Sequence, residues 1–514
     1  MVGTTGAGEV VIAEADGTAG VAVASRAPAR RNGRMLLLAA IPAVLVGIGL
    51  RYWVGHTWLL SLNSDEALVG LQAREVLSGT FRLMVAGNDY GSTTESYLLI
   101  PLLPLGSSAW PLRILAALLS VLAAYALYRL ARPFLGPGPG LCTALIFWTA
   151  SGAMVILWSR PYMGYPTGVA AQIAAIALAC HALRTTEKLP RTALLAGLAA
   201  GFAVWSHPMF GIVALLALIP STVVHVRRFR QWWAPLALGG LIGVSPWIVY
   251  ILRHGKPEEA QATVAATYTG RLEIFATELL PRAFGLRLPD GQWLSPAPLA
   301  QVAAAVLILG SIAGLGLLVA RKGRPAVPLL VAGVLAFPCL AVFPQLAFSA
   351  DARYALPFLP VLLMGLGAWL LLLPSRVRRS PWLVAVLPTV WSLVLCVPVL
   401  TRQADLTLAD PEAGPSAVVT RLDADGVRYV RGDYWATYLI DYLADGRLQV
   451  RPDFPIRLQA EADAVEAANP DEVALVYTSG VRPTYLLPAN DYRMATVGGY
   501  DVYLPPGIGD AGAR

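Results

Sequence analysis

Long apolar runs alternate with short polar breaks along most of this chain. Apolar stretches lie at 35–54, 108–130, 139–157, 167–183, 192–206, 209–225, 234–252, 297–320, 325–347, 355–373 and 381–400. Each approaches the roughly 20 residues a helix needs to cross a hydrocarbon core, so the pattern predicts about eleven transmembrane helices, several of them short or interrupted by proline. The breaks between them alternate in character. One set is tight and basic: Arg129 and Arg132; Arg184, Lys188 and Arg191; "RRFR" at 227–230; "RKGR" at 321–324; "RVRR" at 376–379. Lys and Arg are retained on the cytoplasmic side of a membrane, so these breaks predict the inner face, with the N-terminus on the same side. Three larger segments then fall outside, 55–107, 253–296 and the chain from 402 on. Three brief outer turns accompany them: "SRPYMGYP" at 159–166, "SHPMF" at 206–210 and "SADARY" at 349–354.

The two flanks read differently from the middle. Residues 1–34 are rich in Gly, Ala, Val and Thr and end in "SRAPARRNGR". They lack the order of a cleaved signal and predict a disordered cytoplasmic tail. From 402 on the spanning runs stop and charge rises. "VRYV", "EVALVYT" and "YDVYLP" read as strands, and "ADAVEAANPDEV" as a helix followed by a turn. The expected architecture is a polytopic α-helical membrane domain over 35–401 with a small α/β extracytoplasmic domain over 402–514. Composition agrees: 56% of residues are hydrophobic and only 14% charged, against about a quarter charged in soluble proteins. The formal charge of +7 is carried largely by the inner basic clusters. It therefore reads as a topology signal and not as nucleic-acid binding. The four cysteines sit inside apolar runs, without disulfide or zinc-ligand spacing.

Candidate chemistry gathers in the outer segments. "LNSDEALVG", Leu62 to Gly70, places Asp65 and Glu66 side by side just beyond the first span. As structure, Asn63 caps a helix, Glu66 closes a capping box and both acids suit the helix dipole. As chemistry, a carboxylate close to hydrocarbon is costly unless it serves something. Glu95, in "YGSTTESYL", stands at the edge of an apolar stretch that suits an interfacial helix. "SRPYMGYP" carries Arg160, Tyr162 and Tyr165, and Arg160 opposes the basic-inside trend. "WSHPMF" offers His207, without the spacing of a metal motif. "SADARYALPFLP" brings Asp351, Arg353 and Tyr354 to the outer end of a span, where Arg353 either pairs with Asp351 or presents a cationic fork to a phosphate. Asp433, Tyr434, Trp435 and Tyr438 in "GDYWATYLIDYL" line a sugar site on one reading and pack a core on the other, the second being the commoner use of such residues.

The acidic pair in "NSDEALVGLQAREVLSG", the following "YGSTTESYL" and the late "DARYALPFLP" resemble the GT-C superfamily of membrane glycosyltransferases. The nearest types are protein O-mannosyltransferase-like and aminoarabinose-transferase-like enzymes. The likeness spans roughly 35–400 as architecture. It implies transfer of a sugar from a polyprenyl-phosphate donor to a protein, glycan or lipid acceptor at the outer face of the membrane, and a composition rich in Ala, Gly, Leu, Arg and Pro suggests that this is a bacterial plasma membrane. The match of "SDEA" puts the role of the family's acceptor-side acid on Asp65, and the late arginine–tyrosine pair, Arg353 and Tyr354, falls near the lipid phosphate. Where the aminoarabinose type carries a lysine, this chain has Glu95.

Such a transfer displaces the carrier phosphate at the anomeric carbon. A carboxylate beside the acceptor hydroxyl takes its proton, which assigns the base to Asp65. The departing phosphate needs cationic help, from Arg353 or from a divalent cation such as magnesium or manganese. Glu66 and Glu95 would orient the acceptor or that metal, while Arg160, Tyr165 and His207 would face the donor head group. Two other functions stay open on the sequence. A transporter or lipid-linked-sugar flippase would place ionisable residues in mid-span, and a non-catalytic receptor would rely on the terminal domain.

Overall fold

The computed structural model describes the paired strands β1 (Thr4–Thr5) and β2 (Glu9–Val10), then residues 27–88, 90–255, 266–288, 290–344, 352–403, 409–481, 483, 492–506 and 508. A helix occupies each of the apolar stretches read from the sequence. The first is α1 (Ala27–Gly55), and the outer segment after it holds α2 (Ser64–Leu77) and the short α3 (Thr94–Leu99). The chain continues through α4 (Ala109–Leu135), α5 (Pro137–Thr149), the single turn α6 (Met154–Leu157), α7 (Tyr165–Ala182), α8 (Leu189–Ser206), α9 (Pro208–Val224) and α10 (Ala234–His254). Short α11 (Tyr268–Ile274) and α12 (Leu280–Ala283) follow, then α13 (Ala297–Lys322), α14 (Val327–Leu340), α15 (Leu359–Trp369), α16 (Ser375–Arg378), α17 (Pro381–Leu395) and α18 (Val397–Gln403).

Among the described residues, six helical segments are long and apolar enough to cross a bilayer: Gly33–Gly55, Ala109–Leu135, Leu189–Ser206, Phe229–His254, Ala297–Lys322 and Pro381–Arg402. Their lipid-facing sides expose Leu, Ile, Val and Trp side chains, among them Leu37, Leu122, Leu252 and Leu309. That combination marks an integral membrane protein. Without a hydrophobic drive between helices in lipid, close approach depends on small residues. α8 and α10 show this directly: a Cβ added at Gly197 would lie 2.0 Å from the Leu236 carbonyl oxygen, and one at Gly239 would lie 2.0 Å from that of Leu194.

The terminal segment folds as α19 (Ala413–Ala424), β3 (Tyr429–Gly432), α20 (Tyr434–Leu443), β4 (Gln449–Pro452), α21 (Gln459–Ala467), β5 (Val473–Thr478), β6 (Arg493–Val497) and β7 (Tyr500–Leu504). The strands form one mixed sheet in the order β4-β3-β5-β7-β6, with β3 parallel to β4 and β5, and β7 antiparallel to β5 and β6. This α/β unit does not stand apart from the membrane domain. Leu68 and Leu71 of α2, Leu99 of α3 and Leu112 of α4 share a single apolar core with Tyr438, Ile440, Val450 and Val476. Arg74 of α2 donates twice to the Tyr442 carbonyl at 3.1 Å and pairs with Asp445 at 2.8 Å. The Ala109 N–H, at the start of α4, is capped by Glu412 at 2.8 Å. The 55–107 segment and the C-terminal unit thus fold as one body at one end of the bundle.

Candidate active site

Asn63, extended at φ −125°, caps α2 by accepting the Glu66 N–H at 3.0 Å. The cap fixes the first turn, and consecutive residues of a helix point about 100° apart. Asp65 and Glu66 therefore enter different surroundings. Glu66 points into the bundle, is fully buried, and pairs with Arg113 of α4 and, at 3.3 Å, with Arg160. It does not turn back to close a capping box. Arg113 also donates to the carbonyls of Leu60 and Ser159, and Arg160 to those of Leu59 and Ser61. The Glu66 carboxylate thus joins three segments of backbone, and its position is that of a buried structural anion, not of a group presented to substrate.

Asp65 turns the other way, toward the C-terminal unit. Its Oδ1 accepts the Tyr434 hydroxyl at 2.6 Å, while Ser64 donates its hydroxyl to the Tyr434 carbonyl. Burial and the neighbouring Asp65 carboxylate push the Tyr434 phenol far above its ordinary range, so it remains a donor. Arg457 stands over the Tyr434 ring at 5.9 Å and ties the same corner to Gly87 and Asn88 of the outer segment. Tyr438, by contrast, is a core residue whose oxygen accepts the N–H groups of Arg457 and Leu458. Asp433 caps α20, and Trp435 is exposed.

The remaining outer turns meet beside this pair. Tyr162 lies at their centre: its hydroxyl accepts from Asn63 at 3.5 Å and from Arg160 at 3.3 Å, and the Arg353 guanidinium lies 5.5 Å from its ring centroid. Arg353 also lies 5.7 Å from the ring of Tyr354. Tyr165 packs against Tyr162, His207 and Phe210. His207 caps α9, its Nδ1 accepting the Met209 N–H at 3.3 Å, which leaves the ring proton on Nε2. Burial and nearby Arg353 draw the imidazole down to about 3, so it is neutral at physiological pH and offers a hydrogen bond instead of a charge.

Glu95 serves α7. Its carboxylate accepts the Gly164 N–H at 2.8 Å, the Thr167 hydroxyl at 2.7 Å and the Thr167 N–H at 3.3 Å. Gly164 is left-handed at φ +73°, and a Cβ there would lie 2.2 Å from the Ser206 carbonyl, so only glycine admits this turn. Burial pushes Glu95 up to about 7 despite those three donors. This outer carboxyl therefore orders the turn bearing Tyr162 and Tyr165. Of the sequence-derived candidates, Asp65, Arg160, Tyr165, His207, Arg353 and Tyr354 gather at one end of the bundle, while Glu66 and Glu95 hold that end together. Asp351 lies outside the described residues. Sequence reasoning passed over Arg113 and Tyr162 as site residues and took Tyr434 for core packing. "SRPYMGYP" contained Tyr162, but nothing local marks a tyrosine as the meeting point of distant turns. Among the described residues no three His, Cys, Asp or Glu side chains gather to hold a metal, and Glu66 and Glu95 already have the partners described above.

Comparison with known proteins places this geometry in a class. Residues 97–250 match the family model described as dolichyl-phosphate-mannose-protein mannosyltransferase, a region that includes Tyr162, Tyr165 and His207 but neither Asp65 nor Arg353. The structure of ArnT from Cupriavidus metallidurans bound to undecaprenyl phosphate aligns with a TM-score of 0.59 at 14% identity, covering 91% of this chain and 97% of that one. The apo form of the same protein aligns with a TM-score of 0.60 at 14% identity, covering 90% and 97%. No curated protein sequence matches the chain. The fold is that of ArnT, the architecture expected from the resemblance to the GT-C membrane glycosyltransferases.

Proposed function

We propose that this protein transfers a sugar from a polyprenyl-phosphate carrier to an acceptor hydroxyl at the outer face of a bacterial plasma membrane. The observation that carries the reading is the placement of Asp65, held through one oxygen by Tyr434, on the same end of the bundle as the Tyr162–Arg353–His207 group. Held this way, Asp65 has its second carboxylate oxygen to meet an acceptor. The acceptor oxygen attacks the anomeric carbon, its proton passes to Asp65, and the bond from that carbon to the phosphate oxygen breaks. Arg353 balances the charge arriving on the departing phosphate, and the His207 Nε2–H donates to a neutral oxygen of the sugar or to the phosphate. A single displacement of this kind inverts the anomeric centre. Undecaprenyl phosphate bound to the structurally similar ArnT is consistent with a carrier of that chemistry.

The test is turnover by reconstituted protein offered a panel of polyprenyl-phosphate sugars, with loss of sugar from the carrier as readout. Asp65→Asn keeps the shape and the Tyr434 contact but removes the base, and should cost roughly 100-fold or more in kcat. Near-normal turnover by folded Asp65→Asn protein would remove Asp65 from the mechanism.

A further inference from the structure

A recess lies at the opposite end of the bundle from Asp65. α1 runs from the Asp65 end at Gly55 back to Met35, about 30 Å of helix at 1.5 Å per residue. Beside Met35 is a cavity of about 460 Å³, lined by Met35, Leu36, Leu135, the 136–139 turn, Ser375, Arg378, Arg379 and Pro381. That volume falls in the range of small-molecule sites. Its walls are of two kinds. Met35, Leu36 and Leu135 form an apolar side, on which Met35 is exposed and Leu135 buried. The other side is cationic and contains no acidic side chain.

Three features of the polar side point to an anion. Among the described residues Arg378 and Arg379 enter no ion pair; Arg379 is exposed and Arg378 half-buried, with its Nε enclosed and without a hydrogen-bond partner. A buried unpartnered guanidinium nitrogen is costly. Two helices, α5 at Pro137 and α17 at Pro381, begin at the rim without a side-chain cap; Pro137, Pro139 and Pro381 carry no N–H, so the first-turn donors are Gly138 of α5 and Trp382 and Leu383 of α17. Helix N-termini favour negative charge, and here two of them converge with the two arginines.

We propose that this recess binds an amphiphile with an anionic phosphate headgroup, its hydrocarbon lying along Met35, Leu36 and Leu135. The phosphate sits between Arg378, Arg379 and the first turns of α5 and α17. An anionic phospholipid of the bilayer and a polyprenyl phosphate both carry this chemistry. The site is independent of sugar transfer at Asp65.

The experiment is native mass spectrometry of the full chain in mild detergent after addition of phosphatidylglycerol, phosphatidylcholine or undecaprenyl phosphate. Two charge-assisted contacts predict at least a roughly tenfold preference for an anionic probe over phosphatidylcholine. Arg378→Ala/Arg379→Ala should abolish that preference. Leu36→Trp fills the recess while keeping every charge that sets topology, and should displace the lipid as well, so misfolding or inversion of the double variant leaves a second readout. Preference for phosphatidylglycerol assigns the site to bilayer lipid, and preference for undecaprenyl phosphate assigns it to the carrier. Equal retention of phosphatidylglycerol and phosphatidylcholine by the unmodified chain, or undiminished retention by folded protein of both variants, would overturn the proposal.

Discussion

Glu66 is the sharpest place to separate architecture from chemistry, because it stands next to the proposed base and shares its charge. It is fully buried, with Arg113 and Arg160 closing on it from two other segments, both almost buried themselves. Removing one partner of a buried ion pair typically costs about 3–5 kcal/mol, since the remaining charge is left unbalanced. Here Glu66→Ala strands two arginines, so the upper part of that range applies, against a net stability of about 5–15 kcal/mol for an ordinary fold. Carbonyl oxygens of Leu59, Leu60, Ser61 and Ser159 would still accept from them, which keeps the loss from being larger. The assay is thermal unfolding in detergent, run beside turnover, for Glu66→Ala, Glu66→Gln, Arg113→Met and the Glu66→Leu/Arg113→Met pair. Glu66→Ala should unfold at markedly lower temperature, Glu66→Gln should lie between it and the parent, and the double variant should recover part of the loss. Folded Glu66→Gln protein with the parent's unfolding temperature and turnover reduced 100-fold would show that Glu66 meets reacting atoms, and the structural assignment would be wrong.

Tyr434→Phe removes the hydroxyl that fixes Asp65 Oδ1 at 2.6 Å; a bond to a charged group is worth about 1.5–3 kcal/mol, so kcat should fall roughly tenfold or more, with the KM for the carrier sugar little changed. Arg353→Ala should raise that KM and lower kcat together, and Arg353→Lys should restore the charge without the bidentate fork, giving intermediate values in the same assay. Glu95 is held at about 7 against an ordinary 4.5, so the folded protein retains a proton that the unfolded chain releases. The contribution, on the order of 3 kcal/mol, is complete below about pH 4.5 and is lost as pH rises through 7, so unfolding temperatures measured across that window should fall in the parent and stay flatter in Glu95→Gln. Deleting 402–514 strips Tyr438, Ile440 and Val476 from the core they share with Leu68 and Leu71, and should leave protein that aggregates in size-exclusion chromatography and transfers no sugar.

The helices were legible because length and apolar content in lipid are dictated by the bilayer, whatever the tertiary partners. What the pattern could not show is where partners interrupt a helix. The stretch at 139–157 breaks after Thr149, where Ala150 is left-handed at φ 64°, the Ser151 hydroxyl donates to the Ala283 carbonyl and the Gly152 N–H donates to that of Leu395. Both acceptors lie more than a hundred residues away. The same distinction runs through the sheet. The interior strands β3, β5 and β7 were readable as apolar strings, whereas "QVRP" and "RMATV" form the edge strands β4 and β6, where one side faces no neighbour and polar residues are tolerated. At the site, the Asn63 cap was readable because it is local. The division of labour between Asp65 and Glu66 was not, since it is set by residues 113, 160 and 434.

That division explains why two acids can stand side by side without competing. About 100° of helix rotation separates their directions, and each direction ends on a different part of the chain: Glu66 on the bundle arginines, Asp65 on a tyrosine 369 residues later. The proposed base therefore depends on both the membrane domain and the C-terminal unit being in place. Arg457 strengthens this dependence, because it reaches from the C-terminal unit to Gly87 and Asn88 while standing over Tyr434. Trp435, next in sequence to Tyr434, is exposed on the same corner, in edge-on contact with the Tyr434 ring at 5.0 Å. On the proposed mechanism, Trp435→Ala should change which acceptors are used while leaving the KM for the carrier sugar unchanged, because among the described residues Trp435 touches Tyr434 and none of the Tyr162–Arg353–His207 turns.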